Sequence, residues 1–232
     1  LKIDKWLFIT YIKALVYQES AWSQFIKVGN EMKPLLGGSL DTGLGQLVPS
    51  SNGFDENLAR RAAWDWRFNL YATCYHYGQN VETARKEYIK ANPNWATFGN
   101  RDDHKKNIMM WACAIYNMGE YNSSKGINAS FKGNEWSSFN PSYTSGIMSQ
   151  LSKSFCTNLN QVPDGKIVNI DGAIGFDIDG IPGSIGAPKY DSRWSDGYPP
   201  NNPEFKPYEN LTGTMHDIIS FDQRGRLVRA FP

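Results

Sequence analysis

The sequence predicts a mainly α protein that carries an irregular, partly β C-terminal extension. Apolar residues recur at helical spacing over residues 4–22, 65–78, 81–91 and 102–119. The composition then changes near residue 135. Beyond it, Asp-Gly pairs at 164–165, 171–172 and 179–180 punctuate an alternating apolar run, the pattern of short strands joined by tight turns. These observations divide the chain into a helical domain over 1–136 and an extension over 137–232, which is expected to pack on it.

Each element has its own reason. From Asp4 to Trp22, the residues Phe8, Ile12, Leu15 and Val16 fall on one face of a helical wheel, with Lys5 and Lys13 elsewhere. Gly37-Gly38 and Gly43 to Gly45 then mark a loop whose backbone must approach something closely. Asp65 is suited to cap a helix running through Phe68, Ala72 and Tyr75 to Gly78. Val81, Ala84 and Tyr88 line a further helix that Asn92-Pro93 ends. Asp102 or Asp103 is expected to cap a helix carrying Ile108, Ala112 and Ile115 and stopping near Gly119. After Ser137 the helical signal persists only from Tyr143 to Phe155, and Val162 to Ile185 reads as short hairpin strands. Residues 187–210, rich in Pro, Asn, Tyr and Trp, read as an ordered irregular wrap. The run Asp177-Ile178-Asp179-Gly180 is not an EF-hand, which would need an acidic residue at 175 and Glu at 186; both are glycine.

Composition excludes several classes. The 232 residues are 41% hydrophobic and 20% charged, the balance of an ordinary globular chain. A net charge of +1 gives no footing for nucleic acid or an anionic membrane surface. No apolar run approaches the ~18 residues of a membrane span. Cys74, Cys113 and Cys156 lack metal-ligand spacing and read as buried free thiols, and His76, His104 and His216 form no cluster, so no metal and no cofactor are expected. The chain opens at Leu1 without a signal-peptide pattern, which is expected of a processed product or an excised domain. Many of the 8 Trp and 12 Tyr belong to a core, and a surplus of them also suits stacking on flat, weakly polar ligands such as sugar rings.

Glu19 is the residue from which a chemistry can be argued. At about 100° per residue it falls about 20° from the direction of Phe8, on the apolar face of the first helix. An ionised carboxylate facing a core is costly, so it must be paired or have its pKa raised. A raised pKa is what a general acid needs near neutral pH. Protonating the leaving oxygen of a glycosidic bond requires such an acid. Gln46 and Asn117 carry amides suited to the N-acetyl and hydroxyl groups of an amino sugar, and Tyr116 can hydrogen-bond a carboxyl.

Four segments occur in order: Gln18-Glu19-Ser20, Gly43-Leu44-Gly45-Gln46-Leu47-Val48-Pro49, Trp64 to Ala72 containing Asn69-Leu70, and Ile115-Tyr116-Asn117-Met118-Gly119. Together they resemble the lysozyme-like lytic transglycosylases, the soluble family related to goose-type lysozyme. That family has a Glu-Ser helix end, a Gly-Leu-Met-Gln loop followed by a hydrophobic pair and Pro, an Asn-Ile helix and an Ala-Tyr-Asn-Ala-Gly helix. The resemblance covers residues 7–122. It implies a lysozyme-like catalytic domain that cleaves the bond between N-acetylmuramic acid and N-acetylglucosamine. Glu19 would be the single acid/base, leaving 1,6-anhydromuramic ends, and Ser20, Gln46, Tyr116 and Asn117 would bind substrate. The partners implied are peptidoglycan glycan strands and a cell-envelope or phage-virion assembly, with action at the bacterial wall.

The chain departs from the family pattern at Gly45 and Val48, where Met is usual, and at Ile115 and Met118, where small residues flank Tyr-Asn. The family's loop Ser has two candidate counterparts, Ser39 and Thr42, and 92–106 reads as an insertion whose Trp95 would line the groove. Asp41 has two readings: an Asx-turn residue, or a second carboxylate holding water for direct hydrolysis as in goose-type lysozymes. Structural readings stand beside the others too. Ser20 suits a polar helix end, Asn69 helix packing, Asp65 a cap, and Arg60 and Arg61 a solvated face. The alternatives to a transglycosylase are therefore a muramidase using Glu19 and Asp41, or a peptidoglycan-binding structural module with little turnover.

Overall fold

The computed structural model describes residues 1, 3, 5–28, 31–37, 41–48, 56–64, 66–119, 121–122, 127–128, 130–157, 168–170, 220–221 and 227–229. Within them the chain is mainly helical. It divides into two compact units, one built from Leu1–Leu15, Cys74–Leu159 and Met215–Pro232, the other from Val16–Thr73 and Asn160–Thr214.

The first unit is organised by two long helices. Helix α3 spans Trp66–Ala91 and supplies this unit from Cys74 onward. Sequence periodicity expects two helices here, ending at Gly78 and restarting at Val81. They are one helix, with Gly78 buried inside it. An interior glycine costs about 1 kcal/mol relative to alanine. Cys74, Tyr77, Val81, Ala84 and Tyr88 are all buried, and that continuous stripe outweighs the cost. The helix stops before Asn92-Pro93, as expected. Helix α4 spans Arg101–Met118, and its cap is Asn100, whose side chain accepts from the Asp102 N–H at 2.9 Å. Asp102 and Asp103, the expected caps, instead occupy the first turn, where their charge complements the helix dipole. Gly119 closes the helix with φ of 75°.

Every residue of α4 from Ile108 to Ile115 is buried. Tyr77 packs its ring 5.3 Å from Phe8, donates to the Met109 carbonyl at 3.1 Å and accepts from Cys113 Sγ at 3.5 Å. Trp111 lies against Phe131 and Phe139, with ring centroids 4.7 and 5.7 Å away. Three short helices, α5 (Trp136–Phe139), α6 (Pro141–Leu151) and α7 (Ser154–Thr157), follow; α5 and α6 pack on α4, and α7 on α6. All three cysteines are free and buried, and burial pushes the Cys156 thiol up to about 12. Two strand pairs complete the unit: β3 (Tyr121–Asn122) with β4 (Ile127–Asn128), and β6 (Ser220–Phe221) with β7 (Leu227–Arg229).

In the second unit, helix α1 (Lys5–Ser20) enters through its last turn, from Val16. Strands β1 (Phe25–Val28) and β2 (Glu31–Pro34) then pair antiparallel, a hairpin that helical periodicity does not anticipate. Its signal is present in the sequence, because a Gly-Asn pair separates two four-residue strands. Strand β5 (Val168–Ile170) forms where strand structure is expected, but it pairs in parallel with β1. The rest of the expected 162–185 hairpins, the acidic run at 177–180 and the wrap at 187–210 lie outside the described residues. Helix α2 (Glu56–Trp64) precedes α3, and Phe25, Ala63 and Trp64 form a buried cluster with the two rings 6.1 Å apart. Among the described residues, no helix is long and apolar enough to cross a membrane.

Candidate active site

Glu19 sits in the last turn of α1 and is only 7% exposed. Phe8, Ile12, Leu15 and Val16 are buried as the stripe predicts, yet Ile9, Tyr11, Lys13 and Ala14 are buried as well. Helix α1 is thus enclosed on nearly all sides, and polar groups on it must be accommodated rather than turned to water. Lys13 is 1% exposed, and burial lowers its pKa, with Cys156 acting in the opposite sense.

The helix ends abruptly just past the carboxylate. Ala21 and Trp22 both adopt left-handed backbone conformations, with φ of 50° and 62°. Such conformations cost about 1 kcal/mol or more each in non-glycine residues. The Ala21 N–H still reaches the Tyr17 carbonyl at 2.8 Å, and both side chains are buried, so packing holds the turn. It leaves Ser20 fully buried beside Glu19. The Ser20 hydroxyl accepts from the Ser23 N–H at 3.2 Å and lies 2.9 Å from the Leu44 carbonyl, and 3.1 Å from that of Val16, so it can donate to either.

Leu44 belongs to the glycine loop. Thr42 bridges antiparallel to both Leu36 and Leu47, its N–H donating to the Leu47 carbonyl at 2.9 Å and its carbonyl accepting at 3.1 Å. The Gly43 N–H donates to the Leu35 carbonyl at 2.9 Å. Thr42 to Gly45 and Leu47 are buried, so the remaining backbone groups need partners from side chains. Gln24 and Asn69 supply them. Gln24 Oε1 accepts from the Leu44 N–H at 3.0 Å. Asn69 Oδ1 accepts from the Gly45 N–H at 3.0 Å, while its Nδ2 donates to the Thr42 carbonyl at 2.8 Å and the Ala62 carbonyl at 2.9 Å. Thr73 donates to the Asn69 carbonyl at 2.8 Å.

This arrangement requires the glycines. A Cβ at Gly43 would collide with the Gln24 amide and Asn69 Nδ2, and its φ of +64° is left-handed. A Cβ at Gly45 would collide with Thr73 Oγ1. The close approach is therefore to the protein's own buried side chains, and Thr73 explains why no larger residue stands at 45. Gln46 is left-handed too, with φ of 47°, and is half-buried, its Nε2 donating to the Gly43 carbonyl at 2.9 Å. Its Oε1 and the Asp41 carboxylate both lie next to Gly37, whose N–H donates to the Asp41 carbonyl at 2.7 Å. Thr42 Oγ1 is buried with no hydrogen-bond partner among the described residues; Ser39, the other candidate loop hydroxyl, lies outside them.

Tyr116 and Asn117 lie in the other unit, at the end of α4. Tyr116 is half-buried, with its ring 5.0 Å from that of His76 on α3. Burial lowers the His76 pKa. Asn117 is exposed, and its Oδ1 accepts from Asn140 Nδ2 at 3.1 Å, which ties the end of α4 to the start of α6. That bond gives Asn117 a structural task besides the expected ligand contact. Trp95 is half-buried among the turns that follow α3. Arg61 is exposed, as a solvated face requires, and its guanidinium lies 4.7 Å from the Phe68 ring. The side chain of Arg60 and the Asp65 cap fall outside the described residues.

Sequence reasoning missed Gln24, Thr73 and His76. A glutamine between Ser23 and Phe25 reads as a surface residue, and only its buried partners reveal it. Among the described residues, no group of three or more His, Cys, Asp or Glu side chains is placed to hold a metal ion. The chain matches no protein-family model, no curated protein and no solved structure.

Gly45→Ala is expected to lower stability by about 1–3 kcal/mol in urea unfolding, because its methyl group overpacks Thr73. Adding Thr73→Ala should recover part of that loss. His76 has a folded-state pKa below its ordinary 6.5, so folding favours its neutral ring. Its contribution is fully present above pH 6.5 and is lost as pH falls through the folded value. Thermal melts should therefore show a smaller acid-side drop in Tm for His76→Phe than for the parent.

Proposed function

We propose that this chain is a peptidoglycan lytic transglycosylase of the lysozyme-like kind, with residues 1–136 as its catalytic domain. The observation that carries the reading is the bond from Ser20 to Leu44, which ties the Glu19 helix end to the Gly43–Gln46 loop. A buried carboxylate is thereby held to a loop whose Gln46 amide is only half-buried and suited to an amino sugar.

In this mechanism Glu19 protonates the oxygen of the β-1,4 bond between N-acetylmuramic acid and N-acetylglucosamine. The carboxylate then removes the proton from the muramyl 6-hydroxyl, which closes on C1 to give a 1,6-anhydro end. Glu19 returns to its protonated form, so one residue serves as acid and base. Ser20 and Gln46 would line the site, and the resemblance assigns Tyr116 and Asn117 of α4 to substrate binding as well. The site of action is the bacterial wall, for an enzyme of the cell envelope or of a phage virion.

A second reading has an observation of its own: Asp41 presents its carboxylate next to Gly37, beside Gln46 Oε1. As a base, Asp41 would activate water for hydrolysis by inversion.

Mass spectrometry of digested peptidoglycan separates these readings, because an anhydro end lacks the water that a reducing end contains. The transglycosylase reading expects anhydro ends, with turnover lowered about 100- to 10,000-fold by Glu19→Gln and little changed by Asp41→Asn. Reducing ends alone, with activity lost in Asp41→Asn, would replace it by the muramidase. Wall clearing undiminished in Glu19→Gln would leave a glycan-binding module.

A further inference from the structure

We infer that Gln24 is a positioning residue that couples the glycine loop to the C-terminal end of α2. The argument rests on how completely its amide is used. Gln24 Nε2 donates one hydrogen to the Ala63 carbonyl at 2.7 Å and the other to the Ala62 carbonyl at 3.0 Å. Its Oε1 accepts from the Leu44 N–H at 3.0 Å. All three partners are backbone groups, two acceptors on one side and one donor on the other. The reversed amide would set an oxygen against two carbonyls and an NH2 against an N–H, so the orientation is dictated by its surroundings.

The two carbonyls are among the last four of α2, which have no partner within that helix. Gln24 caps them and, through the same planar group, fixes Leu44. Asn69 repeats the connection one residue along, joining the Ala62 carbonyl to the Gly45 N–H. A displacement of the α2 end is thus carried by rigid amides into the backbone of Leu44 and Gly45. That backbone leads directly into Gln46, whose Nε2 is held by the Gly43 carbonyl. Gln24 touches no substrate atom in this scheme. Its effect on turnover goes through the loop, so the catalytic part of the inference rests on the proposed function.

The test uses the whole chain carrying Gln24→Glu, Ala63→Gly, or both. Glutamate keeps the acceptor for Leu44 but loses both donors to α2, while glycine loosens the end of α2 without touching Gln24. Backbone amide exchange at Leu44 reports the loop, and kcat and KM on peptidoglycan glycan strands report the reaction. Each single change should speed exchange at Leu44 and lower kcat about 10- to 100-fold, with KM within about twofold. The pair should be no worse than the more severe single change, since both sever one connection. Multiplying effects on kcat, or a change confined to KM, would overturn the inference. Should Gln24→Glu fail to fold, Ala63→Gly decides alone: unchanged exchange at Leu44 refutes the coupling. If the parent protein turns over no glycan, the proposed function falls, and Leu44 exchange still decides whether Gln24 couples loop and helix.

Discussion

A buried backbone N–H or carbonyl without a partner costs about 1–3 kcal/mol, and the segment from Thr42 to Gly45 is buried along its length. The structure around it follows from that constraint. The loop is too short to satisfy itself, so hydroxyl and amide side chains from three other segments come to it: Ser20 from α1, Gln24 from the entry to β1, and Asn69 from α3. These side chains must reach the backbone closely, which removes room for a Cβ at positions 43 and 45. The glycines are thus consequences of the polar bookkeeping of the loop. The left-handed turn at Ala21 and Trp22 belongs to the same set, because it lies between Ser20 and Gln24, both of which bond Leu44 of the loop.

Helix α1 carries the other half of the account. A helix buried on nearly all sides gives no water to its polar residues, and Lys13 and Glu19 both lie within it. The two solutions differ. Lys13 sits in the unit that holds Cys156, where burial lowers its pKa. Glu19 sits one residue from the Ser20 hydroxyl that binds the loop, at the point where the helix stops. A carboxylate so enclosed, beside a loop with a left-handed, half-buried glutamine, is the arrangement on which the proposed acid/base role rests.

The sequence made some of this readable and hid the rest for identifiable reasons. Apolar spacing locates α1, α3 and α4 because long buried stripes decide helices. It splits α3 at Gly78 because periodicity cannot weigh one glycine against the burial on both sides of it. The hairpin of β1 and β2 is too short to display alternation, and only Gly29-Asn30 announces it. Glu19 is legible as an acid in the wrong place, and the glycine loop as a site of close approach. What the loop approaches is not legible. Gln24 and Thr73 are ordinary polar residues in the chain and gain meaning only from the backbone groups they meet. Asn69, read as a packing residue, is one, but it packs by hydrogen bonds to a loop 24 and 27 residues away.

The central claim is that the Glu19 helix end and the loop bolted to it form one glycan site. A crystal structure of the Glu19→Gln protein with a bound muropeptide tests it most directly. The account predicts a glycosidic oxygen within hydrogen-bond distance of the residue 19 side chain and an N-acetyl or hydroxyl group on the Gln46 amide. A muropeptide bound away from both residues, with the Gly43–Gln46 loop untouched, would contradict it.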